Sequence, residues 1–328
     1  MINHSSFVIS LDFEMMWGVK DICTPDGYGS SNVKHVKEVV ERIVALLEKY
    51  DVRATFATVG LMFFKDKHQA LQHLPKRLPQ YDNRALSPFE NDYIAKIEDR
   101  YSDLYFVPDI IALLHNHPNI ELATHTFSHY NCWAAGQTPA DFEEDLKAAI
   151  AVAELCGFST PTSIVFPRNN VAEEYLEVCK RCGITTYRGN ARRFYTRTTC
   201  RLVGFVQRIM RLVDSYVNVG GNSSLNYDKL SADGVVNVQA SRFLRPYSKR
   251  LSFLERFKIC RIKNEIRYAA EHNELYHLWW HPHNFGDNIE ENLVNLEEIL
   301  KVFSECRTAY GMQSCTMQEL GRKIKSEK

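Results

Sequence analysis

Two carboxylates and two imidazoles set the chemistry open to this chain. Asp12 and Glu14 lie two residues apart at the end of the apolar run Phe7-Val8-Ile9-Ser10-Leu11. In a strand, alternate side chains point to one side, so both acids share one small space while Phe13 faces away. Further along, Thr124-His125-Thr126-Phe127-Ser128-His129 sets two imidazoles four residues apart, close enough to bind one ion from a helical turn or a tight loop. One carboxylate with two imidazoles is a ligand set for a divalent cation that keeps open positions for water and a substrate oxygen. Such a cation polarises a carbonyl and brings bound water toward a pKa of roughly 7. The spare carboxylate can take the proton from that water, worth on the order of 10²–10⁴ in rate. Amide cleavage also needs an acid for the departing amine. The segment Leu278-Trp279-Trp280-His281-Pro282-His283-Asn284-Phe285 supplies two candidates, His281 and His283, at a strand end.

The elements that must carry these residues follow from periodicity. The strand at 7–14 leads through a loop with Gly18, Gly27 and Gly29 into an amphipathic helix from about Lys34 to Tyr50, with Val36, Val39, Val40, Ile43, Leu46 and Leu47 at three- and four-residue steps. Strands follow at 54–59 and 120–123, the second ending at the histidines. Thr138-Pro139 caps and starts a helix closed by Gly157. The alternation continues with a strand at 163–166, a helix at 171–182 closed by Gly183, and strands at 184–187, 235–238 and 275–280. Ser252 and Glu255 read as a capping box for a helix reaching about His272. Alternating strands and helices predict an α/β fold, a parallel sheet closing into a distorted barrel of about seven strands. Asp12, His125, Arg168 and His281 all fall at the C-terminal ends of strands, where barrels of this type do their work. Residues 64–106 and 189–234 are too long for simple connections. The first reads as an excursion over the barrel mouth. The second, with Leu202, Phe205, Ile209, Leu212 and Val213 at helical spacing, reads as a helix packed on the barrel or a partner. One domain over 1–328, with these two insertions, is the expected organisation.

The bulk composition excludes several classes. Among 328 residues, forty basic and forty acidic side chains cancel, so there is no general pull toward nucleic acid or an anionic membrane. Nine cysteines without framework spacing fit a reducing compartment. Cys179 and Cys182 form a single Cys-x-x-Cys without a second pair, which reads as helix packing. The first residues do not read as a signal peptide and no run approaches transmembrane length, so a cytoplasmic location is expected.

The motifs together resemble the polysaccharide deacetylase family, carbohydrate esterase family 4, over about residues 7–285. The first motif of that family, usually Thr-Phe-Asp-Asp-Gly, appears here as Ser10-Leu11-Asp12-Phe13-Glu14. The second is His125-Thr126-Phe127-Ser128-His129, and the last is His281 within Trp280-His281-Pro282. The Arg-x-Pro motif appears in altered order as Phe166-Pro167-Arg168-Asn169. By the Asp-x-Glu pattern of divergent members, the resemblance implies that Asp12 is the base, that Glu14, His125 and His129 hold the metal, and that His281 is the acid; Asp12 and Glu14 could exchange roles. Arg168 then positions Asp12 or binds a substrate carboxylate or phosphate through its planar fork.

That resemblance implies a metal-dependent hydrolase that removes an N-acetyl group from a sugar. The sugar would be a nucleotide- or lipid-linked precursor, or an oligosaccharide, in surface polysaccharide biosynthesis of the lipopolysaccharide type. Zn²⁺ leads the candidate ions, with cobalt, nickel and manganese able to share such ligands. Trp17, Trp133 and His283 are expected to line the sugar site, since aromatic faces stack on pyranose rings. Two other readings keep the barrel: a cyclic-amide or formamide hydrolase using the same ion, and a non-catalytic sugar-binding homologue.

Overall fold

β1 (Ser6–Phe13) is buried along its whole length because it packs on both faces, as a central parallel strand must. Phe7, Ile9, Leu11 and Phe13 face an outer layer of helices, while Val8 belongs to an inner cluster with Ala57, Ala123, Val165 and Val238. The computed structural model describes residues 3–190, 209–210, 212–227, 230 and 234–327. The sheet runs in the order β6 (Val236–Asn237), β5 (Thr186–Tyr187), β4 (Ser163–Ile164), β3 (Ile120–Thr124), β2 (Ala54–Thr58), β1, β8 (Leu275–Trp280), β7 (Arg242–Phe243), with β9 (Gln313–Cys315) paired to the start of β1. Among the described residues every pairing between these strands is parallel, and a single antiparallel bridge joins Leu225 to Leu275 at the start of β8. This is the expected α/β barrel, with nine strands among the described residues where about seven were expected.

One stretch bridges the two ends of the sheet. The amides of Val236, Val238 and Ala240 donate to Thr185, Tyr187 and Gly189 beside β5, whereas those of Ser241 and Leu244 donate to His277 and Trp279 of β8. A single extended segment therefore changes partners midway and brings the curled sheet round on itself.

Register levels the working ends. Phe13 pairs with Thr58, and Thr58 with Thr124, so Glu14 and His125 are the first residues past the same rung. Around the sheet, helices Val36–Lys49, Pro139–Leu155 and Glu173–Arg181 lie close to their expected bounds. Thr138 caps its helix as expected, accepting from the Asp141 amide. The expected Ser252–Glu255 capping box does not form. Residues Lys249–Leu254 wind as a 3-10 turn, so helix Glu255–Glu271 begins at Glu255 with Leu254 in the N-cap position. Helices Pro108–His115, Ile289–Tyr310 and Met317–Glu327 were not anticipated from the sequence.

Residues 64–106 hold short helical turns and pack against the loop that follows β1. Tyr101 bonds Asp26, and Lys20 donates to the Ala85 carbonyl at 2.7 Å. In the second insertion, Leu202 and Phe205 lie outside the described residues. Ile209, Leu212 and Val213 are helical, and Ile209 and Val213 are exposed. Nearby Asp214 reaches Arg242 of β7 and Arg261 of helix Glu255–Glu271, which ties this insertion to the barrel wall.

Candidate active site

Glu14 is the hub. Its Oε2 lies 3.2 Å from His125 Nε2 and 2.9 Å from His129 Nε2, and all three groups are buried. Glu14, His125 and His129 form the metal-competent cluster found among the described residues. The imidazoles come from a tight loop, not a helix: Thr126 (φ 64°) and His129 (φ 59°) adopt left-handed backbone, a conformation that costs free energy in residues other than glycine. Asp145, from helix Pro139–Leu155, holds the loop in this shape. Its carboxylate accepts from the Phe127 amide at 2.7 Å and the Ser128 amide at 3.4 Å, and from the Ser128 hydroxyl.

The protonation pattern fits a cation. His125 Nδ1 donates to the Val165 carbonyl at 2.8 Å, which turns Nε2 toward the Glu14 carboxylate. Burial pushes the Glu14 carboxyl up, yet His281 and His129, with hydrogen bonds from the two loop imidazoles, outweigh it and hold Glu14 well below the usual range. Burial also lowers His129, against the pull of Glu14. An ionised carboxylate beside an imidazole kept neutral is the state that a divalent metal requires.

Asp12 has a separate support. Burial raises its carboxyl, but the Arg188 guanidinium, helped by His281 and His125, outweighs burial and keeps it below the ordinary value. Arg188 forms a two-pronged pair with Asp12, at 2.6 and 2.7 Å, and also donates to Ser10 Oγ at 2.9 Å and Asn169 Oδ1 at 2.8 Å. Its guanidinium lies 4.2 Å from the centre of the Trp279 ring. Ser10 Oγ in turn meets His277 Nε2 at 2.8 Å, while His277 Nδ1 bonds the Val238 carbonyl. Ser10, His277 and Arg188 were all missed from the sequence; the available signal was position, since each faces the barrel interior or follows a strand end.

Between the two acids stands His281. Its Nε2 is 3.7 Å from Asp12 Oδ2 and 3.6 Å from Glu14 Oε1. The Asn284 amide nitrogen lies 3.3 Å from His281 Nδ1, which leaves Nε2 turned toward the acids. Tyr28 donates to Asn284 Oδ1 at 2.8 Å and fixes which end of that amide faces the ring.

Three of the expected substrate contacts are placed differently. Arg168 does not position Asp12: the left-handed backbone at Arg168 (φ 57°) and Asn169 (φ 55°) turns Arg168 outward onto Asp21, at 2.6 Å, and brings Asn169 inward to Arg188. Trp17 does not line an open site. It is buried, donates to the Tyr105 carbonyl at 2.8 Å and packs edge-on to Tyr105 and Phe106. His283 is buried with Nε2 3.9 Å from Glu14 Oε1, and burial drives its pKa down to about 3, so it is a neutral buttress beside the hub. Trp133 remains 61% exposed on the loop after His129. Cys179 is buried in helix Glu173–Arg181 and Cys182 is half-buried just beyond it; both thiols are free.

A family model for polysaccharide deacetylases matches residues 22–187, just over half of the sequence. The chain belongs to the polysaccharide deacetylase family. The matched stretch includes His125 and His129, and stops short of Asp12 and Glu14 on one side and of Arg188 and His281 on the other. Among solved structures, this deacetylase-family chain is similar to a protein from Mycobacterium smegmatis provisionally named a polysaccharide deacetylase, at 11% identity and TM-score 0.59 over 100% of this chain and 93% of that one. It is also similar to a GH57-type branching enzyme from the archaeon Pyrococcus horikoshii, at 11% identity and TM-score 0.52, covering 98% of this chain and 70% of that one. A 4-alpha-glucanotransferase from Thermococcus litoralis gives 11% identity and TM-score 0.51 over 98% of this chain and 40% of that one. At such identities the likeness is one of fold. No curated protein matches the chain. No helix among the described residues is long and apolar enough to cross a membrane.

Proposed function

We infer that this member of the family is a metal-dependent amide hydrolase that removes an acetyl group from an N-acetylated sugar, a precursor in surface polysaccharide biosynthesis. The observation that carries this reading is the convergence of Glu14, His125 and His129 on one point with Asp12 and His281 beside it. Glu14, His125 and His129 would hold the cation, Zn²⁺ by its preference for imidazole and carboxylate donors. When bound, it would supply electrophilic assistance to the acyl carbonyl and acidify water.

The rest falls to the chain. Arg188 keeps Asp12 ionised and fixed in direction, so Asp12 can accept a proton from the attacking water. Water adds to the acyl carbon as Asp12 takes its proton, the carbon–nitrogen bond breaks, and His281, acting as an imidazolium, would give its Nε2 proton to the departing nitrogen; the neutral ring left behind recovers a proton from Asp12, 3.7 Å away. The products are acetate and the free amino sugar. Arg188, bonded to Asp12 and stacked on Trp279, cannot swing away without leaving a buried carboxylate unpaired, which costs several kcal/mol.

His125→Ala tests the assignment. Acetate release from N-acetylated sugars should fall by at least about 10³-fold, with bound zinc lost in elemental analysis. A variant that keeps both its activity and its metal refutes the ligand set.

A further inference from the structure

The hydrolytic chemistry leaves unused a surface at the rim of the barrel mouth. Exposed apolar side chains are ordinary when scattered, but six of the thirteen large ones exposed among the described residues fall in two short segments. Ile209, Val213, Val217 and Val219 come from the second insertion. Phe253 and Phe257, 71% and 58% exposed, come from the first turn of helix Glu255–Glu271 and the 3-10 turn before it.

Polar contacts hold the two segments together. Arg261 Nη2 donates to Asp214 Oδ1 at 3.1 Å and to the Gly221 carbonyl at 3.3 Å, and Arg245 Nε donates to Ser215 Oγ at 3.4 Å. Phe257 precedes Arg261 by one helical turn, so it lies on the side of the helix that meets the insertion. Val213 and Val217 flank Asp214 and Ser215 on the other partner. The same surface adjoins the candidate active site: the Phe243 ring centre of β7 is 5.9 Å from that of His281 and 4.7 Å from that of Trp279. Arg245, which holds the insertion, is two residues beyond Phe243, at most about 7 Å of chain.

Charge selects the occupant. Lys249, Arg250 and Arg256 are exposed beside the two phenylalanines and have no carboxylate partner among the described residues. The acids of the same stretches are turned inward: Asp214 and Glu255 are buried, the first paired with Arg242 and Arg261 and the second with Lys258. The chain as a whole is neutral, yet this rim shows cations and apolar groups without compensating anions. Aliphatic and phenyl side chains beside Lys and Arg match the boundary of an anionic bilayer, where apolar groups enter the acyl region and cations stay among the headgroups. A nucleic acid would use the cations and the phenyl rings but leave four aliphatic side chains in water. A second copy of this chain, related by a two-fold axis, would bring the same cations face to face.

We propose that this rim is an interfacial docking surface for an anionic lipid bilayer, which turns the barrel mouth toward the headgroups. Docking of this kind needs no membrane-spanning helix and does not depend on the hydrolase reading. Co-sedimentation of the full chain with vesicles of phosphatidylglycerol and phosphatidylcholine tests it, against vesicles of phosphatidylcholine alone. Affinity for the mixed vesicles should be at least about tenfold higher and should fall as salt is raised. Lys249→Ala combined with Arg250→Ala should weaken binding by more than about tenfold, since each cation near the surface accounts for roughly fivefold. Phe253→Ser combined with Phe257→Ser should weaken it at least about tenfold while the salt dependence persists. All four side chains are exposed, so native circular dichroism spectra are expected; should the phenylalanine pair fail to fold, Val217→Ser serves instead, with a severalfold loss. Absence of vesicle binding, with or without retention on single-stranded DNA, equal binding to neutral vesicles, or binding that survives both double variants would overturn the proposal. So would a dimer on gel filtration that the phenylalanine variant dissolves, found in place of vesicle binding. Acetate release is no part of the readout, so failure of the docking leaves the hydrolase standing, and loss of the hydrolase leaves the docking.

Discussion

Gly18 shows how little of this site is its ligands. It supplies no ligand atom, yet any side chain at this position would occupy the space of the Glu14 carboxylate. Gly18→Ala should push that carboxylate off the point shared by His125 and His129. The expected result is a loss of about 10–100-fold in zinc affinity, the size seen when groups that orient a ligand are disturbed, with the melting temperature little changed. Competition against a chromogenic chelator measures the first and a thermal melt the second; unchanged zinc affinity would mean that Glu14 is not a ligand. Arg188 makes the same point from the other side. In sequence it is one arginine among many, following a short strand, and the altered Arg-x-Pro motif directed attention to Arg168 instead. What the sequence could not show is the left-handed pair at 168–169, which sends Arg168 to the surface and leaves the Asp12 position to an arginine from the next strand.

The loop that carries both imidazoles is legible as a motif but not as a shape. Four-residue spacing allows a helical turn or a tight loop, and the choice is made by Asp145, eighteen residues beyond Phe127 and unremarkable in its own helix. Burial pushes the Asp145 carboxyl up to about 6, against the opposing pull of its hydrogen bonds from Ser128 and Phe127. The folded chain therefore holds a proton that the unfolded chain releases near pH 4. Between those values the native state binds more protons, so stability drops as pH rises and levels off above about 6. Urea unfolding at pH 4.5 and pH 7 should show the wild type losing about 2 kcal/mol relative to Asp145→Asn, which has nothing to titrate. No difference from Asp145→Asn would mean that the carboxylate is ionised throughout this range. Elements read best where burial on both faces writes a long apolar run, as in β1 and β8. They read worst where pairing is brief: β7 spans two residues, and its place is set by partners on β8. The capping box at Ser252 failed for a related reason, because a 3-10 turn consumed the residues that were to cap the helix.

Across the whole molecule, chemistry and stability occupy opposite ends of the barrel. Helix Met317–Glu327 closes the N-terminal end of the strands. Its first amides are taken by Thr55 Oγ1, at 2.9 Å from Met317 N, and by Glu121 Oε2, at 3.0 Å from Gln318 N. A carboxylate there satisfies amides with no partner in their own helix and complements the positive end of its dipole. Met317, Leu320 and Ile324 are buried against Val8, Val236 and Leu275, and Gly321 lies flush on Thr186. Val8 and Asp12 are four residues apart on β1, about 13 Å, beyond the range at which substitutions usually couple. Leu320→Ala should therefore remove about 2–5 kcal/mol of unfolding free energy, through lost burial and the cavity left behind. At 25 °C, with the variant still folded, zinc affinity and kcat/KM should stay within about twofold of wild type. A chemical denaturation curve and a zinc titration on the same sample measure the two quantities. Should both fall together, the plug and the mouth would be parts of one coupled unit, and the register that levels Glu14 with His125 would depend on the helix beneath it as well as on the strands themselves.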